Sequence, residues 1–252
     1  MPATESPAVV RVAAVADLHV RAGVAGRFRQ TLGDLARVAD LLLLAGDLTN
    51  AGLLTEGALL CEQLCGLPVP VVAVLGNHDH DDGYGAQIAD MLRDVGVRVL
   101  DGDAVVLNVA GVRVGIGGVQ GSGGGFPHEA GGPPGADETG SLSERLRRGP
   151  AEAQRLREAM AGLRCDLRIA LTHFSPVVET LRGEPVDIYP ALGSHALAEA
   201  IDDVRANLAV HGHAHLGTEH GTTPGGVPVR NVAQPVLRRP YAIYPTSAQP
   251  RR

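Results

Sequence analysis

An α/β layered domain is the fold class this sequence predicts, and three observations predict it. Short apolar, β-branched runs bounded by turn signals recur at 11–16, 41–45, 71–75, 104–109, 112–116, 168–172 and 208–210. Each has the length and composition of a buried strand. Helix-like stretches at 52–64, 84–94, about 150–162 and 194–204 fall between several of them, and strand alternating with helix is the pattern of layered α/β folds. The 104–118 pair, split by Ala110-Gly111, reads instead as an antiparallel hairpin, so mixed sheets are expected.

Local signals place the element ends. Pro150 suits the first position of a helix, where its missing N–H has no partner to lose, so the third helix is expected to start there. Ser194 suits the N-cap of the fourth. Glycines and prolines crowd 117–140, from Gly117 and Gly118 through Gly121, Gly123, Gly124 and Gly125 to Pro133, Pro134 and Gly135. That composition predicts a long loop, either a lid, a binding loop or a plain surface insertion. Within it, Ser122 to Phe126 would be able to bring backbone N–H groups and one ring over a site.

The 252 residues, 44% of them hydrophobic, are read as one domain spanning 1–252 with a sizeable core. No apolar run reaches the 18 or so residues of a membrane span, and the first twelve residues lack a basic stretch followed by an apolar one, so a cytoplasmic protein is expected. Three cysteines argue against a disulfide framework. The net charge of −6 disfavours a non-specific nucleic-acid binder. All 22 basic residues are arginine, which excludes a phosphate-loop lysine and Schiff-base chemistry. The arginines at 145, 147, 148, 155 and 157 are interleaved with Glu144, Glu152 and Glu158 and read as a solvated helical face.

The chemistry-bearing residues fall where strands end. Asp17 and His19 follow the first strand, Asp47 the second, Asn77, His78 and Asp79 the third, His173 a later one, and His211, His213 and His215 the last. In α/β sheets the carboxyl ends of strands converge on the ligand site. Carboxylate, amide oxygen and imidazole without thiolate is a donor set for hard or borderline divalent metals. Eight candidate donors exceed the need of one ion, which suggests two metals sharing Asp47. Gly46, Gly76 and Gly212 are expected to make tight turns before the donors. The spacing of His213 and His215 would put both imidazoles on one side of an extended segment. His211 is read as a support for the His213 loop and Cys61 with Cys65 as packing, while His80 either touches substrate or is solvated.

Asp17-x-His19, Gly46-Asp47, Gly76-Asn77-His78-Asp79, His173 and Gly212-His213-x-His215, in that order over residues 17–215, resemble the five blocks of the calcineurin-like metallophosphoesterase superfamily. The resemblance implies a four-layer α/β/β/α sandwich with two mixed β-sheets and a dinuclear centre at the strand C-terminal ends. By it, Asp17, His19 and His215 hold the first metal, Asn77, His173 and His213 the second, and Asp47 bridges both. The metals would be Mn, Fe or Zn, and a hydroxide they generate would be the nucleophile. His78 corresponds to the histidine that meets charge on the leaving oxygen, with Asp79 orienting its ring.

Two divalent cations against Asp17, Asp47 and a bridging hydroxide leave about one net positive charge, so an acidic protein keeps a local anion site. After Gly46-Asp47 the chain runs Leu48-Thr49-Asn50-Ala51-Gly52, without the arginine that protein phosphatases of this superfamily carry there. The run resembles the bacterial phosphodiesterase-like branch. A small phosphodiester or phosphomonoester is the expected substrate. The alternatives are a metal-dependent nuclease and a non-catalytic scaffold that binds without turnover. The oligomeric state is left open by the sequence.

Overall fold

The structure is a computed structural model, and it describes residues 8–23, 27–127 and 142–247. Its strands are β1 (Val9–Val15), β2 (Leu41–Ala45), β3 (Val71–Val74), β4 (Arg98–Val99), β5 (Asp103–Val109), β6 (Val112–Val119), β7 (Leu167–Thr172), β8 (Leu208–His211), β9 (His220–Thr222), β10 (Pro228–Asn231) and β11 (Ala242–Ser247). The helices are α1 (Arg27–Thr31), α2 (Leu35–Val38), α3 (Leu54–Leu64), α4 (Gly85–Asp94), α5 (Leu142–Met160), α6 (Tyr189–Leu192), α7 (His195–Asp203) and α8 (Gln234–Leu237).

Two mixed sheets result. The first has the order β11-β1-β2-β3-β4 and the second β5-β6-β7-β8-β10-β9. In the first, β1 to β4 run parallel and β11 pairs antiparallel with β1. In the second, β6, β7, β8 and β10 run parallel, and β5 and β9 close the edges antiparallel. The expected hairpin is β5 and β6, with Val109 opposite Val112 and a turn whose residues Ala110 (φ 50°) and Gly111 (φ 80°) are both left-handed. Such a turn matches the twist of the strands it joins.

Alternation within the strands builds the layers. Val12, Ala14, Leu41, Leu43, Val72 and Val74 point from the first sheet onto Val114, Ile116, Ile169, Leu171 and Val210 of the second. The intervening residues Ala13, Val15, Leu42, Leu44, Val71 and Ala73 pack on Leu32, Leu35, Leu60, Leu64, Ile88 and Leu92 of the first helical layer. On the far side, Ala153, Leu156 and Met160 of α5 and Leu197, Ala198 and Ile201 of α7 cover Ala170, Ala209 and Val229. The order is thus helix, sheet, sheet, helix. Strands such as β2, buried along their whole length, have apolar neighbours on both faces and so read as unbroken apolar runs.

Three expectations are corrected. Helix α5 does not start at Pro150 but carries it inside. The proline removes one backbone donor, yet its ring lies on the exposed face, while Ala153, Leu156 and Met160 anchor the buried face at i, i+3 and i+7. The loop expected over 117–140 begins later, because β6 runs through Val119. Its glycines are there for closeness: a Cβ on Gly118 would sit 2.7 Å from Leu100 Cβ, and one on Gly115 would sit 2.7 Å from Cys165 Sγ. Residues 128–140 of that stretch lie outside the described residues. Third, β4, β9, β10 and β11 were not expected. They are short or carry Gly and Pro, and Pro245 is tolerated because β11 is an edge strand.

Ser194 does occupy the N-cap of α7, although its side chain makes no capping bond. Among the described residues, no helix is long and apolar enough to cross a membrane. All three cysteines are free: Cys61 and Cys165 are buried and Cys65 is exposed.

Candidate metal centre

The carboxyl ends of β1, β2 and β3 meet those of β7 and β8, and every donor predicted from sequence lies in the loops that follow these strands. These loops are stitched together by backbone bonds: the Asp17 N–H donates to Gly46 O at 2.9 Å and the His19 N–H to Asp47 O at 3.1 Å. Among the described residues seven non-glycine residues have positive φ, and four of them are Asp17 (58°), His19 (43°), Asp47 (50°) and His213 (70°). Left-handed backbone at non-glycine residues costs free energy and concentrates at functional sites.

Two groups of donors form. The ligand atoms of Asp17, His19, Asp47 and His215 lie within 4.8 Å of one another, and those of Asp47, His173 and His213 form a second group at the same spacing. Asp47 belongs to both. Asn77 Oδ1 joins the second group at 3.1 Å from His173 Nε2, and Asp47 Oδ1 lies 3.3 Å from the same nitrogen. His173 Nδ1 is 2.8 Å from the Ala45 carbonyl. A carbonyl only accepts, so Nδ1 carries a proton and Nε2 faces two oxygens. Oxygens converging on that nitrogen call for positive charge between them, a proton or a metal ion.

Burial sharpens the demand. Among the described residues, His19 Nε2 and His213 Nε2 are buried side-chain nitrogens with no hydrogen-bond partner, a costly arrangement in a protein interior. Both belong to the clusters. Burial holds the His213 and His19 pKa values below the usual imidazole value despite nearby carboxylates. Burial also opposes charge on His173, but Asp47 outweighs it and pushes its pKa up to about 9. Asp47 itself is held well below the usual carboxylate range, burial being overcome by His173 and the other imidazoles. His215, hydrogen-bonded to Asp17 Oδ1 at 2.8 Å, is raised by that bond. The potential that attracts a proton to His173 attracts a metal ion equally, and lone pairs on His19 and His213 are free to bind it. The donor set therefore fits two divalent cations.

The loop geometry differs from expectation in two places. Residues 212–215 are not extended: the Ala214 N–H donates to Gly212 O at 2.8 Å and His213 is left-handed. This turn sends His213 to one cluster and His215 to the other. Of the three glycines, only Gly46 (φ 85°) has the left-handed backbone of a tight turn. Gly76 and Gly212 are required by space, since a Cβ would strike the Asp47 carboxylate and the Asp17 carboxylate respectively.

His78 stands at the rim. Its N–H donates to Asp47 Oδ1 at 3.0 Å, its ring lies 5.1 Å from that of His19, and Nε2 is 4.0 Å from Asp47 Oδ2. Asp79 does not orient its ring, contrary to expectation. The buried Asp79 carboxylate accepts from the N–H groups of Leu48 (3.2 Å), Thr49 (2.7 Å) and Gly76 (2.8 Å) and from Thr49 Oγ1 (2.6 Å). Burial and the Asp47 charge raise its pKa. The side chain on the ring is Asp81, whose Oδ2 accepts from His78 Nδ1 at 2.7 Å. An acid three residues on, one turn of helix away, was the signal that the neighbouring Asp79 concealed.

His211 is buried with both nitrogens engaged, Nδ1 with Gly212 O and Nε2 with Thr180 Oγ1, and burial lowers its pKa to about 3. It braces the loop as expected. So does Asn231, which the sequence reading missed: Nδ2 donates to Ala214 O at 2.8 Å. His80 is exposed and packs on Gly85, outside both clusters. Gly124 and Gly125 do not offer their N–H groups to the site. Both donate to Gly193 O, and Phe126 packs with Leu181, Tyr189 and Leu192. Arg155 and Arg157 are paired with Asp101, Glu152, Glu199 and Asp203.

A sequence model of the calcineurin-like phosphoesterase family matches residues 10–217. The chain belongs to that family. Among solved structures it is similar to the phosphopantetheinyl hydrolase PptH of Mycobacterium tuberculosis, with TM-score 0.68 and 16% identity over 95% of this chain and 97% of that one. It is also similar to TT1561 of Thermus thermophilus, with TM-score 0.56 and 17% identity over 96% of this chain and all of the other. At these identities the likeness is one of fold. A search of curated proteins finds no match.

Proposed function

We propose that this protein is a metal-dependent phosphoesterase that hydrolyses a small organic phosphodiester or phosphomonoester. The observation that carries the reading is the pair of donor clusters sharing Asp47, with His19 Nε2 and His213 Nε2 buried and unpartnered at their centres. Asp17, His19 and His215 would hold one ion, Asn77, His173 and His213 the other, and Asp47 would bridge. Mn, Fe and Zn all suit these donors. When bound, two such ions supply Lewis acidity, neutralising phosphoryl charge and lowering the pKa of water towards neutrality.

The chain's own groups do the rest. The Ala45 carbonyl fixes His173 with Nε2 facing inward, and the His213 N–H holds Asp17 Oδ2 at 3.0 Å. His78, fixed at Nδ1 by Asp81, turns Nε2 towards the site mouth, where it meets charge on the leaving oxygen. Asp79 is a positioning residue: by gathering the N–H groups of 48, 49 and 76 it sets Asp47 and Asn77 in register. All donor positions being filled favours an enzyme over a scaffold. The membership of a phosphoesterase family and the hydrolase among its structural relatives support the same class.

The test is metal analysis of purified protein together with turnover of bis(p-nitrophenyl) phosphate, p-nitrophenyl phosphate and single-stranded DNA. Two metals per chain and cleavage of a nitrophenyl ester are expected. One metal or none, with no turnover after loading with Mn, Fe or Zn, would sink the reading, and preferential cleavage of DNA would favour the nuclease.

A further inference from the structure

A cleft of about 670 Å³ opens directly beside the first donor cluster and includes Asp17 and His19 in its wall. Three arginines also line it. Arg21 comes from the loop after β1, and Arg238 and Arg239 from the end of α8. No carboxylate among the described residues pairs with Arg21 or Arg238, whereas Arg239 is tethered to Glu219 at 2.7 Å. Apart from Asp17, a candidate metal ligand, the lining contains no acid. Asn50 and Gln234 add neutral polar groups, and Phe28 supplies an apolar face. Arg238 is the left-handed residue (φ 51°) that ends α8, its N–H donating to Gln234 O, and this turn brings Arg238 and Arg239 to the cleft.

A phosphate bound at the metals alone needs a small part of this volume, and clefts of this size take organic ligands. Guanidinium groups are suited to phosphate because their planar donors match its oxygens in pairs. We infer that the substrate is an organic phosphoester carrying a second phosphate, which Arg21 and Arg238 grip while the scissile group lies at the metals. Arg239, held from behind by Glu219, completes the cationic wall. Phe28 and the adjacent prolines take the linking organic portion. This rests on the hydrolase reading above for the scissile group, but the second anion site stands on the cleft itself.

The experiment is calorimetric titration of the metal-loaded protein with α,ω-alkane bisphosphonates of three to eight carbons, each against the alkylphosphonate of equal length. These probes resist hydrolysis, so binding is read without turnover. At least one spacer should bind about tenfold or more tightly than its one-headed partner. The ratio should fall towards one in Arg21→Gln/Arg238→Gln, with Arg238→Gln alone intermediate. Melting curves of the variants report folding. If no spacer outperforms its partner in the wild type, or if the preference survives in a folded double variant, the second anion site is wrong. Bis(p-nitrophenyl) phosphate turnover by the same wild-type preparation separates the two readings: a bisphosphonate preference without turnover supports the cleft and removes the hydrolase.

Discussion

At the scale of single residues, two side chains divide metal holding from proton handling. Asp47 is buried between both clusters and lies against His173, His19 and His78. Replacing one carboxylate oxygen by an amide nitrogen removes a charge and puts a donor where a cation belongs. Asp47→Asn should therefore lose at least one metal per chain and most activity, as measured by elemental analysis and nitrophenyl ester turnover. Two metals retained at wild-type rate would refute the bridge. His78 makes no such demand, because its ring is partly exposed and tied to Asp81. His78→Ala should keep its metals and lower kcat by about 10²–10⁴, with the greater loss on alkyl than on nitrophenyl diesters, because a good leaving group needs no proton. Asp81→Asn should reproduce part of this loss, and Asp79→Asn should instead lower metal content. Loss of metal from His78→Ala would make it a ligand or a structural residue. The sequence exposed the donors because each follows an apolar strand. It could not separate Asp79 from Asp81 as the partner of His78, since adjacency along the chain does not give side-chain direction in a helical turn.

At the scale of elements, the loops owe their shape to glycines whose reasons differ. Gly46 is left-handed, and a Cβ there would lie 2.6 Å from His173 Cγ and 2.8 Å from its Cβ. Gly46→Ala must displace the imidazole that the Ala45 carbonyl aligns, so the second metal should be lost while the first is retained. Elemental analysis giving about one metal per chain checks this, and two metals would show that the ring can shift and still coordinate. The central strands were legible because burial on both faces leaves unbroken apolar runs, and the β5–β6 hairpin because Ala110-Gly111 interrupts one. Strands β4, β9, β10 and β11 were not legible. β9 and β10 carry Gly, Pro and polar residues, and they pair because β8 offers β10 an open edge and β10 offers one to β9, rather than through any pattern of their own. The arginines of the cleft were equally hidden, since Arg21 and Arg238 are more than two hundred residues apart and share a wall only because the Ala16–Ala233 bridge sets the start of α8 beside the end of β1.

At the scale of the whole molecule, the donor clusters lie across the seam between the two sheets. Asp17, Asp47 and Asn77 follow strands of the first sheet, and His173, His213 and His215 follow strands of the second. Each cluster takes ligands from both sides, so ions bound there tie the sheets together and bind the native state far better than the unfolded chain. A ligand at 100 times its Kd stabilises by about 2.7 kcal/mol, and about 2–4 °C of Tm follows per kcal/mol for a chain of this size. Chelation should therefore lower Tm by roughly 5–10 °C for each site emptied, on these two relations. Asp47→Asn should start near the lowered value and respond little to chelator. The control is Ile116→Ala, deep between the sheets, which should cost about 2–5 kcal/mol whether metal is present or not. Differential scanning calorimetry of the three proteins, each with and without chelator, distinguishes a metal-tied seam from a seam held by packing alone. An unchanged wild-type Tm after complete metal removal would show that the clusters add nothing to the joining of the sheets.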